Sequence, residues 1–95
     1  AEAQLVDVRM PQEHAAGTLA GASHIPLPEL RSRLNELDAG RPVVTFCQVG
    51  QRGYMAARVL MQHGFSEVYN LSGGYRMHRA NGALPAGKPA PAGRT

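Results

Sequence analysis

A chain of 95 residues has the length of one domain, and a domain of this size buries only about two-thirds of the surface its unfolded chain exposes. Its apolar fraction of 43% excludes an intrinsically disordered chain, and no apolar run approaches the ~20 residues that span a bilayer, so no membrane partner is expected. The formal charge of +3 comes from nine arginines and one lysine scattered among seven carboxylates; with only Tyr69 and Tyr75 near the aromatic interleaving that stacks bases, it excludes a nucleic-acid partner and suits small anionic substrates.

Leu5 to Val8 is a short apolar run without alternation, the pattern of a strand buried on both faces of a parallel sheet. Pro11 stands where a first helical turn begins, so residues 11 to 16 read as a short helix stopped at Gly17, and Ile25 centres a brief strand within Gly21 to Pro26. Leu27, Leu30, Leu34 and Leu37, at offsets 0, 3, 7 and 10, predict an amphipathic helix stopped by Gly40 and Pro42. Val43 to Phe46 is the clearest buried strand. Residues 53 to 63 then form a helix whose end suits His63 and Gly64: the imidazole faces the negative end of the dipole, and glycine takes the left-handed cap. Val68 to Leu71 is a further strand, Ser72 to Gly74 a turn, and Tyr75 to Asn81 a last short helix.

This alternation predicts an α/β fold, a small mainly parallel sheet with helices on both faces. Residues 1–82 form the expected domain, and 83–95, rich in proline and glycine with little to bury, the expected disordered tail or linker. The N-terminus has neither the basic start nor the apolar stretch of a signal peptide, and the abrupt start at the first strand implies either a minimal sheet or excision from a longer protein.

The chemistry concentrates in Cys47, Gln48, Val49, Gly50, Gln51, Arg52 and Gly53, between the strand ending at Phe46 and the following helix. In an open α/β sheet ligands bind at this place, outside the carboxyl ends of the strands. Successive backbone N–H groups in a tight loop form an anion-binding nest, the helix N-terminus adds partial positive charge and Arg52 a full one. All three favour a thiolate at Cys47, where a lone cysteine after an apolar strand would otherwise read as an inert small hydrophobe. The single cysteine allows no internal disulfide, and no cysteine or histidine pair has ligand spacing, so a reducing, cytoplasmic compartment is expected, with no metal and no cofactor. Asp7 and Arg9 read as structural, and His14, His24 and His63 as surface or capping residues.

Four segments in register resemble the rhodanese homology domain: Leu5-Val6-Asp7-Val8-Arg9 with Pro11 and Glu13, Gly21-Ala22-Ser23-His24-Ile25-Pro26, the loop from Cys47 to Gly53, and Val68 to Tyr75 with Gly73-Gly74. His14 stands where the family often has an aromatic residue, and Tyr75 lies ahead of Met77 and His78, where the family often has a tryptophan. The resemblance implies an enzyme, a sulfurtransferase moving a sulfane sulfur from thiosulfate or a persulfide to cyanide or a thiol through a persulfide on Cys47. Gln48 to Gly53 would be the substrate cradle and Arg52 an anion contact. Related phosphatases have a loop one residue longer from cysteine through arginine; the six residues Cys47 through Arg52 suit sulfur rather than phosphate. The run Cys47 to Tyr54, followed by Ala56 to Leu60, is similar to the rhodanese domain at the C-terminus of flavin-dependent coenzyme A disulfide reductases. That likeness implies an alternative: a sulfur-relay module of a larger coenzyme A disulfide or persulfide reductase, with a fused or separate redox enzyme as partner and slow turnover of thiosulfate.

Overall fold

The computed structural model describes residues 3–79 and 90–91. Along the chain run β1 (Gln4–Asp7), α1 (Pro11–Ala15), β2 (Ser23–His24), a 3-10 helical segment (Leu27–Glu36), β3 (Val43–Phe46), α2 (Gln51–Gln62), β4 (Val68–Asn70), α3 (Gly74–His78) and a two-residue β5 (Ala90–Pro91). They form one sheet in the order β2-β1-β3-β4-β5, parallel through the first four strands, with β5 antiparallel to β4. The expected α/β class is found. The expected tail from residue 83 lies outside the described residues, apart from 90–91, whose backbone pairs with Tyr69 and Asn70.

Register explains where the site falls. Asp7 stands beside Phe46, and Thr45 beside Asn70, so the carboxyl ends of β1, β3 and β4 reach one edge together. The strand runs lack alternation because both sheet faces are covered. Val6 and Val43 pack with Ile25, Leu30, Ala56, Ala57, Leu60 and Val68 beneath the 3-10 segment and α2. Leu5, Val44 and Phe46 pack on the other face with Leu19 and Leu71, flanked by Tyr69 and Tyr75.

Helix α2 buries Gly53, Ala56, Ala57, Val59 and Leu60. Gly53, Ala56 and Ala57 let it lie close on β3, and the Thr45 hydroxyl, buried in the sheet, donates to the Gly53 carbonyl at 2.7 Å and fixes its first turn. Its C-terminus ends as the sequence suggests, with the His63 Nδ1 donating to the Val59 carbonyl at 2.8 Å.

Helix α2 opens at Gln51 rather than residue 53 and α3 runs Gly74–His78 rather than from Tyr75 to Asn81, and two further elements differ from expectation. The leucine-rich segment is a 3-10 helix kinked at Arg33 (φ −121°, ψ 20°) rather than one amphipathic α-helix. Spacings of three and four residues serve either geometry, and the kink is held by Arg33 itself, which donates to Glu29, Glu36 and the His24 carbonyl. Strand pairing in β2 covers Ser23 and His24 and stops short of Ile25, although the Ile25 N–H still reaches the Asp7 carbonyl at 3.0 Å.

Candidate active site

Cys47 follows β3 directly, and its side chain is 1% exposed within the α2 face of the core. The loop after it turns back through Gly50, the residue capping α2, at φ +118° and ψ −22°. A side chain there would be strained, which is why glycine occupies the point where the loop reverses. The reversal brings the Gly50 N–H to 3.0 Å from the Cys47 sulfur. A buried sulfur facing a backbone donor at the positive end of a helix is an arrangement that stabilises negative charge on sulfur.

The loop is clamped from three directions. From the segment just after β1, Arg9 is fully buried and spreads its guanidinium over four acceptors: both Asp7 oxygens at 2.9 and 2.8 Å, the Gln48 side-chain oxygen at 3.2 Å and the Gly17 carbonyl at 2.6 Å. Tyr75 stacks over that guanidinium, 4.2 Å from ring centre to Cζ. From α3, the Tyr75 and Arg76 N–H groups donate to the Cys47 and Gln48 carbonyls at 2.7 and 3.0 Å. This requires the backbone of Gly74, at φ +61°, to lie so close that a Cβ would collide with the Cys47 carbonyl. From β4, the Asn70 amide donates to the Gly50 carbonyl at 2.8 Å.

Electrostatics tie the loop to β1 and α1. Burial works to raise the Asp7 pKa, but hydrogen bonds from Arg9, His14 and Thr18 outweigh it and lower it to about 2. The hydrogen bonds from Arg52 are the main reason Glu13 is also lowered to about 2; burial opposes them and the Met10 N–H adds to them. Both folded values lie below the ordinary 3.8 and 4.5, so the unfolded chain takes up protons first. The stability these groups contribute is therefore fully present above about pH 5 and is lost as the pH falls towards 2. Urea midpoints measured across that window are expected to drop steadily with acidification, and Asp7→Asn should flatten the drop; a midpoint constant from pH 5 to 3 would contradict the assignment.

Among the sequence-predicted site residues, Cys47 and Gly50 meet directly, and Gln48 is held through Arg9. Val49 stands 54% exposed on the loop, Gln51 opens α2, and Gly53 is buried in its first turn. Arg52 is turned onto α1, where Glu13 receives both its terminal nitrogens at 2.7 and 2.9 Å. A hollow of about 320 Å³ runs beside the loop between Val49, Gln51, Tyr54, Ser72 and Gly73. Sequence reasoning missed two partners: Glu13, 39 residues from Arg52, and Asn70, 20 residues from Gly50. Glu13 belongs to one of the recognisable segments, but nothing in its neighbourhood names its partner. The structural readings of Asp7 and Arg9 agree with their contacts, and the histidines are hydrogen-bonded locally: His14 to Asp7, His24 to the Arg9 carbonyl, with the two rings stacked 4.2 Å apart.

The family model described as a rhodanese-like domain matches residues 1–80. The Bacillus subtilis protein YqhL is 44% identical over 75 residues, covering 79% of this chain and 60% of its own length. The thiosulfate sulfurtransferase GlpE of Pseudomonas aeruginosa is 37% identical over 78 residues, covering 82% of this chain and 71% of its own. Among solved structures, reduced Bacillus anthracis CoADR-RHD superimposes with a TM-score of 0.75 at 43% identity, over 80% of this chain and 14% of that one. The NAD-dependent persulfide reductase of A. fulgidus gives 0.68 at 35% identity, over 78% and 13%. With the matched family model spanning nearly all of the described residues and these folds coinciding, the chain belongs to the rhodanese-like domain family.

Proposed function

We propose that this domain is a sulfurtransferase working through a persulfide on Cys47. The observation that carries the reading is the Cys47 sulfur set at the carboxyl edge of the sheet with the Gly50 N–H at 3.0 Å. The Cys47 thiolate attacks the outer sulfur of thiosulfate, the S–S bond breaks, and sulfite leaves with the electron pair. Cys47 then carries an S–S⁻ group. Cyanide or a thiolate attacks the outer sulfur next, taking it as thiocyanate or a new persulfide and restoring the Cys47 thiolate. The backbone from Gln48 to Gly53 cradles the transferred sulfur, and Arg52, paired with Glu13, pins the loop's end to α1. No metal or organic cofactor enters this scheme, and a cysteine that must cycle through its thiolate suits a reducing compartment such as the cytoplasm.

A second reading has specific support. The chain resembles a small part of two much longer proteins, one of them named a persulfide reductase. In that reading the domain relays sulfur to or from a redox partner and turns over thiosulfate slowly. Steady-state kinetics with thiosulfate against glutathione persulfide or coenzyme A persulfide separate the two. For the free-standing enzyme, kcat/KM with thiosulfate is expected to equal or exceed that with the persulfides; for the relay, it is expected to fall at least about tenfold below them, a transition-state difference of ~1.4 kcal/mol.

A further inference from the structure

Asn70 closes β4 at the edge of the sheet, 9% exposed, and its Nδ2 donates to the Gly50 carbonyl at 2.8 Å. That carbonyl can only accept, so the orientation of the amide is fixed: the NH2 must face Gly50. The other half of the amide then has nothing to bond. Asn70 Oδ1 is the buried side-chain polar atom without a hydrogen-bond partner among the described residues. It lies instead against Gly53, where an added Cβ would collide with it. An apolar side chain would occupy this space without burying a bare carbonyl oxygen, so stability alone does not account for asparagine here.

What the asparagine does is hold Gly50. The two polar groups of Gly50 belong to neighbouring peptide planes: its N–H meets the Cys47 sulfur, and its carbonyl receives Asn70 together with the Tyr54 N–H at 3.0 Å. Anchoring the carbonyl fixes the residue about which the N–H plane pivots. A glycine at φ +118° has no side chain to restrain it, so an external anchor is the means of keeping its donor aimed. When charge passes from the thiolate to the outer sulfur of a persulfide, a donor already in place needs no reorganisation.

We propose that Asn70 is a positioning residue for sulfur transfer, acting through Gly50 on the charge at Cys47. The proposal rests on the sulfurtransferase reading and adds to it a residue outside the loop. Asn70→Leu and Asn70→Ala both remove the donor; the first keeps the branched outline with bulkier methyls, and the second empties the site. Two quantities are read on each and on the parent: the rate of sulfur uptake from thiosulfate, followed by intact mass, and the thermal midpoint. Uptake is expected to slow about tenfold in both, less than the loss of a whole oxyanion donor because the Gly50 N–H is loosened rather than removed. The midpoints are expected to differ between the two variants, because one overfills the site and the other leaves it empty. A purely structural role would tie rate to stability; equal slowing at unequal stability does not.

Parental uptake with an unchanged rate in Asn70→Leu would overturn the positioning role, and slowing in Asn70→Ala alone would assign the effect to packing and overturn it as well. If Asn70→Leu does not fold, Asn70→Val, apolar and smaller, takes its place in the same comparison, and an unchanged rate there overturns the proposal. No uptake by the parent would instead sink the sulfurtransferase reading, and the positioning role with it.

Discussion

Cys47→Ser is expected to lose sulfur transfer by several orders of magnitude, down to the uncatalysed background, while keeping the fold. The loss follows from the nucleophile: a serine hydroxyl is not ionised near neutral pH, and no neighbouring base among its contacts would activate it. The survival of the fold follows from the site. The serine oxygen can accept the same Gly50 N–H, and the exchange alters one buried atom in a loop held independently by Arg9, Asn70 and the α3 backbone. Such a change costs about 1–2 kcal/mol. A thiocyanate assay together with a thermal melt reads both halves. Turnover persisting in a folded Cys47→Ser protein would mean that sulfur travels by a route that avoids the loop.

Asp7→Ala is expected to be the most damaging single change to stability, about 3–5 kcal/mol. Asp7 is fully buried, and Arg9 beside it is 2% exposed. Removing the carboxylate leaves the guanidinium in the interior with only the Gln48 and Gly17 oxygens, and an uncompensated buried charge costs that much. His14 and Thr18 lose an acceptor as well. For a domain of this size each kcal/mol moves the thermal midpoint by about 4–8 °C, so the melt should fall by about 12–40 °C. The double change Asp7→Leu with Arg9→Met, which removes both charges, is expected to recover part of the loss. A melt within a few degrees of the parent for Asp7→Ala would show that Arg9 finds other partners and that the ion pair is dispensable.

Both residues lie in segments that are readable from sequence, and the reason is local. Leu5 to Val8 and Val43 to Phe46 lack alternation because the sheet is covered on both faces, and the loop from Cys47 declares itself through its glycines and its place between strand and helix. Contacts between distant segments were not legible. Arg52 reads as a free cation at the loop's end, yet in the fold its charge is shared with Glu13, which α1 brings across the strand ends. Asn70 sits inside a strand and carries no sequence signal of its own, because its role depends on the parallel register that places it beside Thr45, within reach of Gly50. The 3-10 segment was missed for the opposite reason: leucine spacings of three and four fit two helix types, and the choice was made by the kink at Arg33.

The claim at the centre of this account is that Cys47 itself carries the sulfur. Intact mass of the reduced protein after incubation with thiosulfate, beside Cys47→Ser, tests it most directly. The account predicts a gain of ~32 Da, one sulfur atom, on the parent and none on the variant, reversed by cyanide. A parent that gains nothing from thiosulfate or from a low-molecular-weight persulfide, or a variant that gains the same mass, would contradict it.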